Sequence, residues 1–272
     1  MIGRIIHLDE VDSTNLFARK LAERGEPEGT CVVAKRQTAG RGRMKRVWFS
    51  PEGGLWFSVI LRPCVEARYT GQIGLIGALA VARVVRKIAG IDARVKWPND
   101  VVVKGRKLCG VLAEARITGD RIEYVILGVG LNLYIGRDEL PEELRDRATS
   151  VSIESQESQV LAGESAGEKE NGSQETRTAP GSERSRGEMP PDVVLEHIMD
   201  EFDMLYGRYL AGGFDCILAE LEPLCCTLGS YVTVVNGNER VRGVARALNP
   251  DGSLVVATGE AFVAVPAGEV TG

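Results

Sequence analysis

The sequence predicts an α+β fold in which a mixed sheet is packed by helices on one side and is followed by a small β-barrel. Short apolar segments predict strands, and two apolar-faced stretches, over residues 14–24 and 71–90, predict helices between them. A third helix is expected over residues 192–210. From residue 231 onward, short strands separated by Asn-Gly and Asp-Gly turns are typical of a small barrel.

The composition of the chain limits the classes of protein to which it can belong. The 272 residues are 44% hydrophobic with a formal charge of −5, which is enough apolar material for one or two domains. We find no apolar run that predicts a transmembrane helix and no signal peptide, so a cytoplasmic protein without membrane association is expected. The six cysteines lack metal-ligand spacing and are expected to be reduced. Because the chain has only two histidines, neither a histidine-based metal site nor a catalytic triad is expected.

A basic segment over residues 35–46 (KRQTAGRGRMKR) stands out against the acidic balance of the chain. It has six positive charges and no acidic residue, and Gly40 and Gly42 lie between its arginines. Glycine allows close backbone approach to a ligand, and arginine offers planar pairs of donors to phosphate or carboxylate. The segment therefore predicts an exposed anion-binding loop, with a solvated surface loop as the alternative.

Polar residues interrupt an apolar region further along the chain. Pro98 breaks a strand directly before Asn99 and Asp100, and apolar residues follow at once. A carboxylate at such a bend can hold a metal–phosphate complex or orient an amine, although an Asx turn is the alternative. Lys107 opens the next strand, in which Gly110 leaves room for close packing.

Three weaker signals accompany these. Ser13 or Thr14 is placed to cap the first helix, whose N-terminus can also hydrogen-bond a ligand. Trp48, beside the basic loop, is either a core residue or a cover for an apolar ligand group. Residues 128–132 (GVGLN) are weak support for nucleotide binding, because the third glycine of the dinucleotide fingerprint is missing.

Taken together, these segments resemble the biotin protein ligases. The matching segments, in the family's order and approximate spacing, are residues 13–15 (STN), 37–43 (QTAGRGR), 96–100 (KWPND), 107–110 (KLCG) and 128–132 (GVGLN). The resemblance implies a class II synthetase-like catalytic domain over residues 1–153 and 191–225 and an SH3-like domain over residues 226–272. No helix-turn-helix segment precedes the first strand, so a short form without DNA binding is expected.

Between the two parts of the catalytic domain, residues 154–190 are rich in Ser, Glu, Gly, Gln and Thr and contain no aromatic residue. Such a segment buries too little apolar surface to offset its ordering entropy. It is expected to be a disordered, low-complexity insert.

The resemblance implies an ATP-dependent biotin–[acetyl-CoA-carboxylase] ligase. Biotin and ATP would form biotinyl-5′-AMP and pyrophosphate, with Mg²⁺ accompanying ATP. Biotin would then pass to a lysine of a biotin carboxyl carrier protein or domain of an acyl-CoA carboxylase. A homodimer is left open.

The resemblance also implies roles for individual residues. The biotin-binding set is Ser13, Thr14, Asn15, Gln37, Arg41, Gly42, Arg43, Lys107 and Gly110. The set for ATP or the adenylate is Arg43, Arg46, Trp48, Asn99, Lys107 and Asn132. The catalytic set is Lys107, Arg43 and Asp100, in which Lys107 stabilises charge where the carboxylate meets the α-phosphate and Asp100 assists the incoming lysine. No dedicated metal site is expected, and Mg²⁺ would lie with ATP near Asp100.

One position departs from the family pattern, and two other functions stay open. Where the family's basic loop commonly has a glycine, this chain has Lys45, which is expected to alter loop closure and to speed leakage of the adenylate. A lipoate or octanoate ligase of related fold is one alternative. A nonenzymatic biotin-binding module is the other.

Overall fold

The computed structural model describes residues 3–119, 121–166, 189–259 and 261–271. The strands of the first sheet are β1 Arg4–Val11, β2 Thr30–Gln37, β3 Leu55–Leu61, β4 Arg94–Lys96, β5 Asp100–Val103, β6 Arg106–Thr118 and β7 Arg121–Leu131. The helices are α1 Thr14–Glu23, α2 Thr70–Ala89, α3 Val151–Ala166, α4 Pro191–Gly212 and α5 Asp215–Leu221. The strands of the second sheet are β8 Tyr231–Asn236, β9 Glu239–Leu248, β10 Leu254–Ala257, β11 Phe262–Val265 and β12 Glu269–Thr271. None of these helices is long and apolar enough to cross a membrane.

The first sheet is mixed, as predicted. Its strand order is β1-β2-β3-β7-β6-β5-β4, in which β1 and β2 are parallel and the other neighbours are antiparallel. The central strand β3 is buried along its whole length. Such a run is typical of a strand that is covered on both faces.

Helices cover both faces of this sheet, so the expectation of helices on one side is wrong. Alternate residues of a strand point to opposite faces. Val59 and Leu61 of β3 join the large core with α2 and α4, whereas Ile60 packs with Ala18 of α1. Because α1 is only 10 residues long, it covers part of its face and leaves the rest open for a cavity.

The predicted insert begins differently in the structure. Residues 151–166 form α3, so the first part of the segment expected to be disordered is helical. Glu154 in its first turn is buried, and Arg106 of β6 donates to it over 2.8 Å. A buried ion pair anchors this helix in a segment whose composition is mainly polar. Residues 167–188 of the predicted insert lie outside the described residues.

The C-terminal strands form a separate antiparallel sheet in the order β11-β10-β9-β8-β12, as expected for the SH3-like domain. Its inner face, which includes Val234 and Val256, joins the same core as α2. Trp97 ties the two parts together, because its indole N–H donates to the carbonyl of Gly252 over 3.0 Å. The turn between β9 and β10 is thereby held against the segment that follows β4.

Candidate active site

A cavity of about 630 Å³ opens on the α1 face of the first sheet. Every residue predicted for biotin, ATP or catalysis lies in its wall. These residues are Ser13, Thr14, Asn15, Gln37, Arg41, Gly42, Arg43, Arg46, Trp48, Asn99, Asp100, Lys107, Gly110 and Asn132. A volume of this size is in the range of small-molecule sites. The structure thus brings together residues from distant parts of the chain.

One end of the cavity is a buried polar cluster at the start of α1. Gln37 Oε1 accepts from the Thr14 backbone N–H over 2.8 Å, so Gln37 caps the helix. The predicted cap is wrong in this respect, since the Ser13 side chain makes no capping bond. The Ser58 hydroxyl donates to Asn15 Oδ1 over 2.6 Å, and Asn15 Nδ2 donates to Glu114 over 3.0 Å. Such a network holds its donors and acceptors in fixed directions.

The floor of the cavity is made by two glycines of β7. A Cβ atom on Gly128 would lie 1.9 Å from Asn15 Oδ1, and one on Gly130 would lie 2.5 Å from Trp48 Nε1. Residues two apart on a strand share a face, so the missing side chains let Asn15 and Trp48 lie directly on the sheet. Close packing therefore explains the GVG segment, which resembled a nucleotide motif only weakly.

The indole of Trp48 carries a hydrogen-bond donor at the cavity wall. Its N–H is buried and has no hydrogen-bond acceptor among the described residues. Lys107 Nζ lies 5.0 Å from the centre of its ring, within cation–π range. A buried donor without an acceptor is uncommon in folded proteins, and at a cavity wall it fits a site that receives a ligand acceptor.

Lys107 and Asp100 form an ion pair in the cavity wall. Their charged atoms lie 2.8 Å apart, and both side chains are partly exposed. The two residues come from β6 and β5, which pair as a hairpin after the Trp97-Pro98 turn. The predicted polar bend is therefore the connection between the antiparallel strands β4 and β5, and it places Asp100 at the start of β5, where Lys107 of β6 reaches it.

The basic loop reaches across the cavity to the C-terminal sheet. Arg43 donates to Asn99 Oδ1 and to the Gly268 carbonyl, each over 3.1 Å. Arg46 pairs with Glu269 of β12. Burial lowers the pKa of Arg43, against the opposing effect of Asp100, whereas the hydrogen bond from Arg46 lowers the pKa of Glu269. The loop is thus held by contacts that a bound anion would compete with.

Asn132 lies in the cavity wall, and its side chain also makes a structural hydrogen bond. Its Nδ2 donates to the Thr149 carbonyl over 2.9 Å. The Thr149 N–H donates to the Lys107 carbonyl over 2.9 Å, and the Thr149 hydroxyl donates to Glu154 over 2.8 Å. The side-chain amide nitrogen of Asn132 therefore holds Thr149, and Thr149 in turn hydrogen-bonds the backbone of Lys107.

Sequence reasoning missed two acids that contact predicted site residues, and one of them, Glu269, lies in the cavity wall. Glu114 contacts Asn15 and lies within 3.7 Å of Arg41, and Glu269 comes from the C-terminal sheet, for which no site residue was predicted. A single acid inside the apolar stretch of β6 was an available signal for Glu114. No local pattern marked Glu269, because its partner is 223 residues away.

The described residues contain no group of three His, Cys, Asp or Glu side chains that would hold a metal ion alone. Asp100 is a carboxylate beside the amide of Asn99 in the wall. Mg²⁺ usually takes one or two protein carboxylates and completes its shell with water and phosphate oxygens. The donor set fits Mg²⁺ only when it arrives together with a phosphate ligand.

Comparisons with known proteins agree on one family. The Biotin/lipoate A/B protein ligase family matches residues 8–132. A bifunctional ligase/repressor BirA of Bacillus spizizenii is 36% identical over 257 residues, covering 94% of this chain and 70% of the relative. A biotin–[acetyl-CoA-carboxylase] ligase of Mycobacterium tuberculosis is 29% identical over 269 residues, covering 96% of this chain and 86% of the relative.

A solved structure extends the similarity to the whole fold. The biotin protein ligase of Aquifex aeolicus, in complex with biotin and ATP, aligns with a TM-score of 0.74 and 29% identity. The alignment covers 98% of this chain and 97% of that one, and so includes both sheets. By sequence and by fold, this chain belongs to the biotin protein ligases of the biotin/lipoate A/B protein ligase family.

Proposed function

We propose that this protein is a biotin protein ligase, which activates biotin with ATP to biotinyl-5′-AMP and transfers biotin to a lysine of an acceptor protein. The observation that carries the proposal is that one cavity of about 630 Å³ has both a polar end and a cationic end. Such a shape suits one ligand with a neutral polar head and an anionic tail. The similarity to ligases over nearly the full chain supports the same activity.

The polar end suits the ureido ring of biotin. That ring has one carbonyl acceptor and two N–H donors, and it needs matching groups in fixed positions. Thr14, Asn15 and Gln37 supply buried amide and hydroxyl groups that neighbouring side chains hold in place. Polar groups fixed in this way reject ligands that cannot match them, because the unmatched groups would lose their hydrogen bonds.

The cationic end suits the first reaction. A carboxylate must approach a triphosphate, and the repulsion between the anions has to be offset in the transition state. Arg43 and Lys107 line the cavity, and Arg41 and Arg46 lie on the same loop as Arg43. Arg43 and Lys107 would stabilise the charge that develops at the α-phosphate as pyrophosphate leaves. Mg²⁺ carried by ATP would add to this neutralisation.

The second reaction needs an uncharged amine. The acceptor lysine arrives as an ammonium ion, and it must lose a proton before its nitrogen attacks the mixed anhydride. Asp100 faces the cavity and lies 2.8 Å from Lys107. Once Lys107 turns to the phosphate, the Asp100 carboxylate is free to orient the incoming ammonium and to accept the proton that it loses, while the amine nitrogen bonds to the biotinyl carbonyl carbon and AMP leaves.

The proposal extends to partner and location. The acceptor is proposed to be the biotin carboxyl carrier domain of an acyl-CoA carboxylase, in line with the name of the Mycobacterium tuberculosis relative. The cytoplasm is proposed as the location, since all six cysteines are free thiols. Repression, which the name of the Bacillus relative adds, is not part of the proposal.

The decisive experiment is ATP–pyrophosphate exchange with biotin, lipoate and octanoate offered separately. We expect exchange with biotin alone. Exchange with lipoate or octanoate instead would move the function to a related acyl ligase. Binding of biotin without exchange would leave a binding module and would contradict the roles given to Lys107 and Asp100.

A further inference from the structure

The outer face of the C-terminal sheet exposes two aromatic side chains. Tyr231 at the start of β8 is 66% exposed, and Phe262 at the start of β11 is 74% exposed. Alternate residues of β8 such as Val232 and Val234 are buried in the core, so Tyr231 points away from it. Large exposed aromatics are more frequent at protein interfaces than on the remaining surface.

Strand register places the two aromatics in one row. Tyr231 pairs with Val244, Val244 pairs with Ala257, and Ala257 pairs with Phe262. Directly paired residues lie on the same face of a sheet, and neighbouring strands are about 4.8 Å apart. The row therefore spans about 14 Å, with two small side chains between the rings. A flat apolar strip with an aromatic ring at each end results.

Three arginines surround this strip. Arg240, Arg242 and Arg246 of β9 are exposed. None of the three has an ion-pair or side-chain hydrogen-bond partner within the part of the chain that the structure describes. The chain as a whole is acidic, with a formal charge of −5. An unpaired positive patch on an acidic protein favours an acidic partner.

The same face continues to the mouth of the cavity. Thr271 of β12 lines the cavity and pairs with Thr233, which in turn pairs with Arg242. Two strand spacings separate Thr271 from Arg242, or about 10 Å. A protein resting on the arginines and aromatics would therefore lie against the cavity rim.

We propose that this outer face, defined by Tyr231, Phe262, Arg240, Arg242 and Arg246, is the docking surface for the lysine-bearing acceptor protein. The proposal rests on the ligase function, because transfer needs a macromolecular acceptor at the cavity mouth. The arginines recognise acidic side chains around the target lysine, and the aromatic strip packs against an apolar part of the same domain. Arginine and tyrosine are frequent energetic anchors of such interfaces.

The test separates the two half-reactions. Biotin transfer to the biotin carrier domain of an acetyl-CoA carboxylase is measured beside biotin-dependent ATP–pyrophosphate exchange, which needs no acceptor. We expect the double variant Arg240→Glu/Arg242→Glu to raise the KM for the carrier domain about tenfold or more while exchange stays at the wild-type rate. Unchanged exchange also shows that the variant is folded.

A second variant tests the aromatic strip without changing charge. Tyr231→Ser/Phe262→Ser is expected to raise the same KM, and its effect should not depend on salt. The KM rise caused by the arginine variant should shrink at high ionic strength, since exposed charges are screened there. The matched control is Arg24→Glu at the end of α1, another exposed arginine, which should leave both half-reactions unchanged.

Several results would overturn the proposal. These are an unchanged carrier KM in both double variants, or an equal effect of Arg24→Glu. Loss of binding to a DNA duplex with unchanged transfer would assign the face to nucleic acid instead. If the wild type shows no exchange with biotin, the ligase function fails. The docking surface is then still tested by titrating fluorescent carrier domain, whose affinity should fall in the outer-face variants.

Discussion

Lys107 Nζ lies 2.8 Å from Asp100 Oδ1, across the β5–β6 hairpin. The oxygen has no other hydrogen-bond partner among the described residues. Each charge is thus balanced by the other while the cavity holds no anion. When a carboxylate or phosphate draws the ammonium away, the Asp100 carboxylate needs a new cation, and an incoming lysine is one.

The first prediction concerns Lys107. Lys107→Gln should lower the rate of biotin-dependent exchange by about 10²–10³-fold, which is typical for losing one group that stabilises transition-state charge. Lys104→Gln is the control, because Lys104 lies on the same hairpin but pairs with Glu157. Comparable activity of the two variants would contradict the proposed role.

Alanine substitutions at two glycines of β7 should affect the two ends of the cavity independently. Gly128→Ala displaces Asn15, so it should raise the KM for biotin more than that for ATP. Gly130→Ala displaces Trp48 and should do the reverse. Each effect should be about tenfold or more if a buried polar contact is lost. Steady-state kinetics with each substrate varied gives the two ratios.

The control for these alanines is Gly74→Ala in α2. Its Cβ would lie 3.9 Å from that of Ala113, an ordinary contact. Replacing a helical glycine in this way should stabilise the fold by about 0.5–1 kcal/mol without changing either KM. Identical KM changes in Gly128→Ala and Gly130→Ala would mean that the cavity is not divided as described.

Lys45 has a backbone conformation that suits glycine. Its φ is 62°, and the preceding Met44 has a φ of 55°. A left-handed conformation costs an L-residue about 1–2 kcal/mol, so the loop is strained where the family commonly has glycine. In the Lys45→Gly variant we expect the loop to close more readily and the adenylate to be released more slowly. The release rate is measured by chasing bound, labelled biotinyl-5′-AMP with unlabelled ligand.

Lys45→Ala separates backbone from charge. Alanine removes the ammonium but keeps the Cβ atom and its strain. If the alanine variant also retains the adenylate, the charge rather than the conformation causes the leak. Wild-type release rates in both variants would refute the expected effect of Lys45.

Thr149 should influence catalysis from outside the cavity. Thr149→Val removes the hydroxyl that donates to buried Glu154 over 2.8 Å, at a cost of about 1.5–3 kcal/mol for one hydrogen bond to a charged group, while the ion pair with Arg106 remains. The segment that pairs with the Lys107 backbone would loosen, so kcat of exchange should fall while the KM for biotin is unchanged. Thr149→Ser keeps the hydroxyl and should restore kcat. A serine variant as slow as the valine variant would exclude this hydrogen bond as the cause.

Glu157 should make stability depend on acid pH. Hydrogen bonding to Arg106, followed by other contacts with Arg106 and Lys104, lowers its pKa from 4.5 to about 2. A carboxylate with a depressed folded-state pKa adds stability above its unfolded pKa, and that stability is lost as pH falls through the folded value. Denaturant unfolding should show Glu157→Gln less stable than wild type near about pH 6, with the difference shrinking toward about pH 3. A constant difference would rule out this carboxylate.

Local patterns in the sequence predicted the helices α1, α2 and α4 and the motif residues, whereas most of α3 was expected to be disordered. Periodicity places α2 and β3 because burial on a helix or strand follows 3.6- or 2-residue spacing. The GRGR loop, the Asn99-Asp100 bend and Lys107 were recognisable from residue type and order alone. All of them lie in one cavity.

Tertiary structure decided which distant groups meet. Glu114 contacts Asn15 across 99 positions, and Glu269 contacts Arg46 across 223. Glu154 looked like part of a polar insert, yet Arg106 and Thr149 make it a buried anchor. Local propensity carries no information about partners at such separations. Chain folding alone brings together the charges that compensate one another, and that compensation offsets part of the cost of removing them from water.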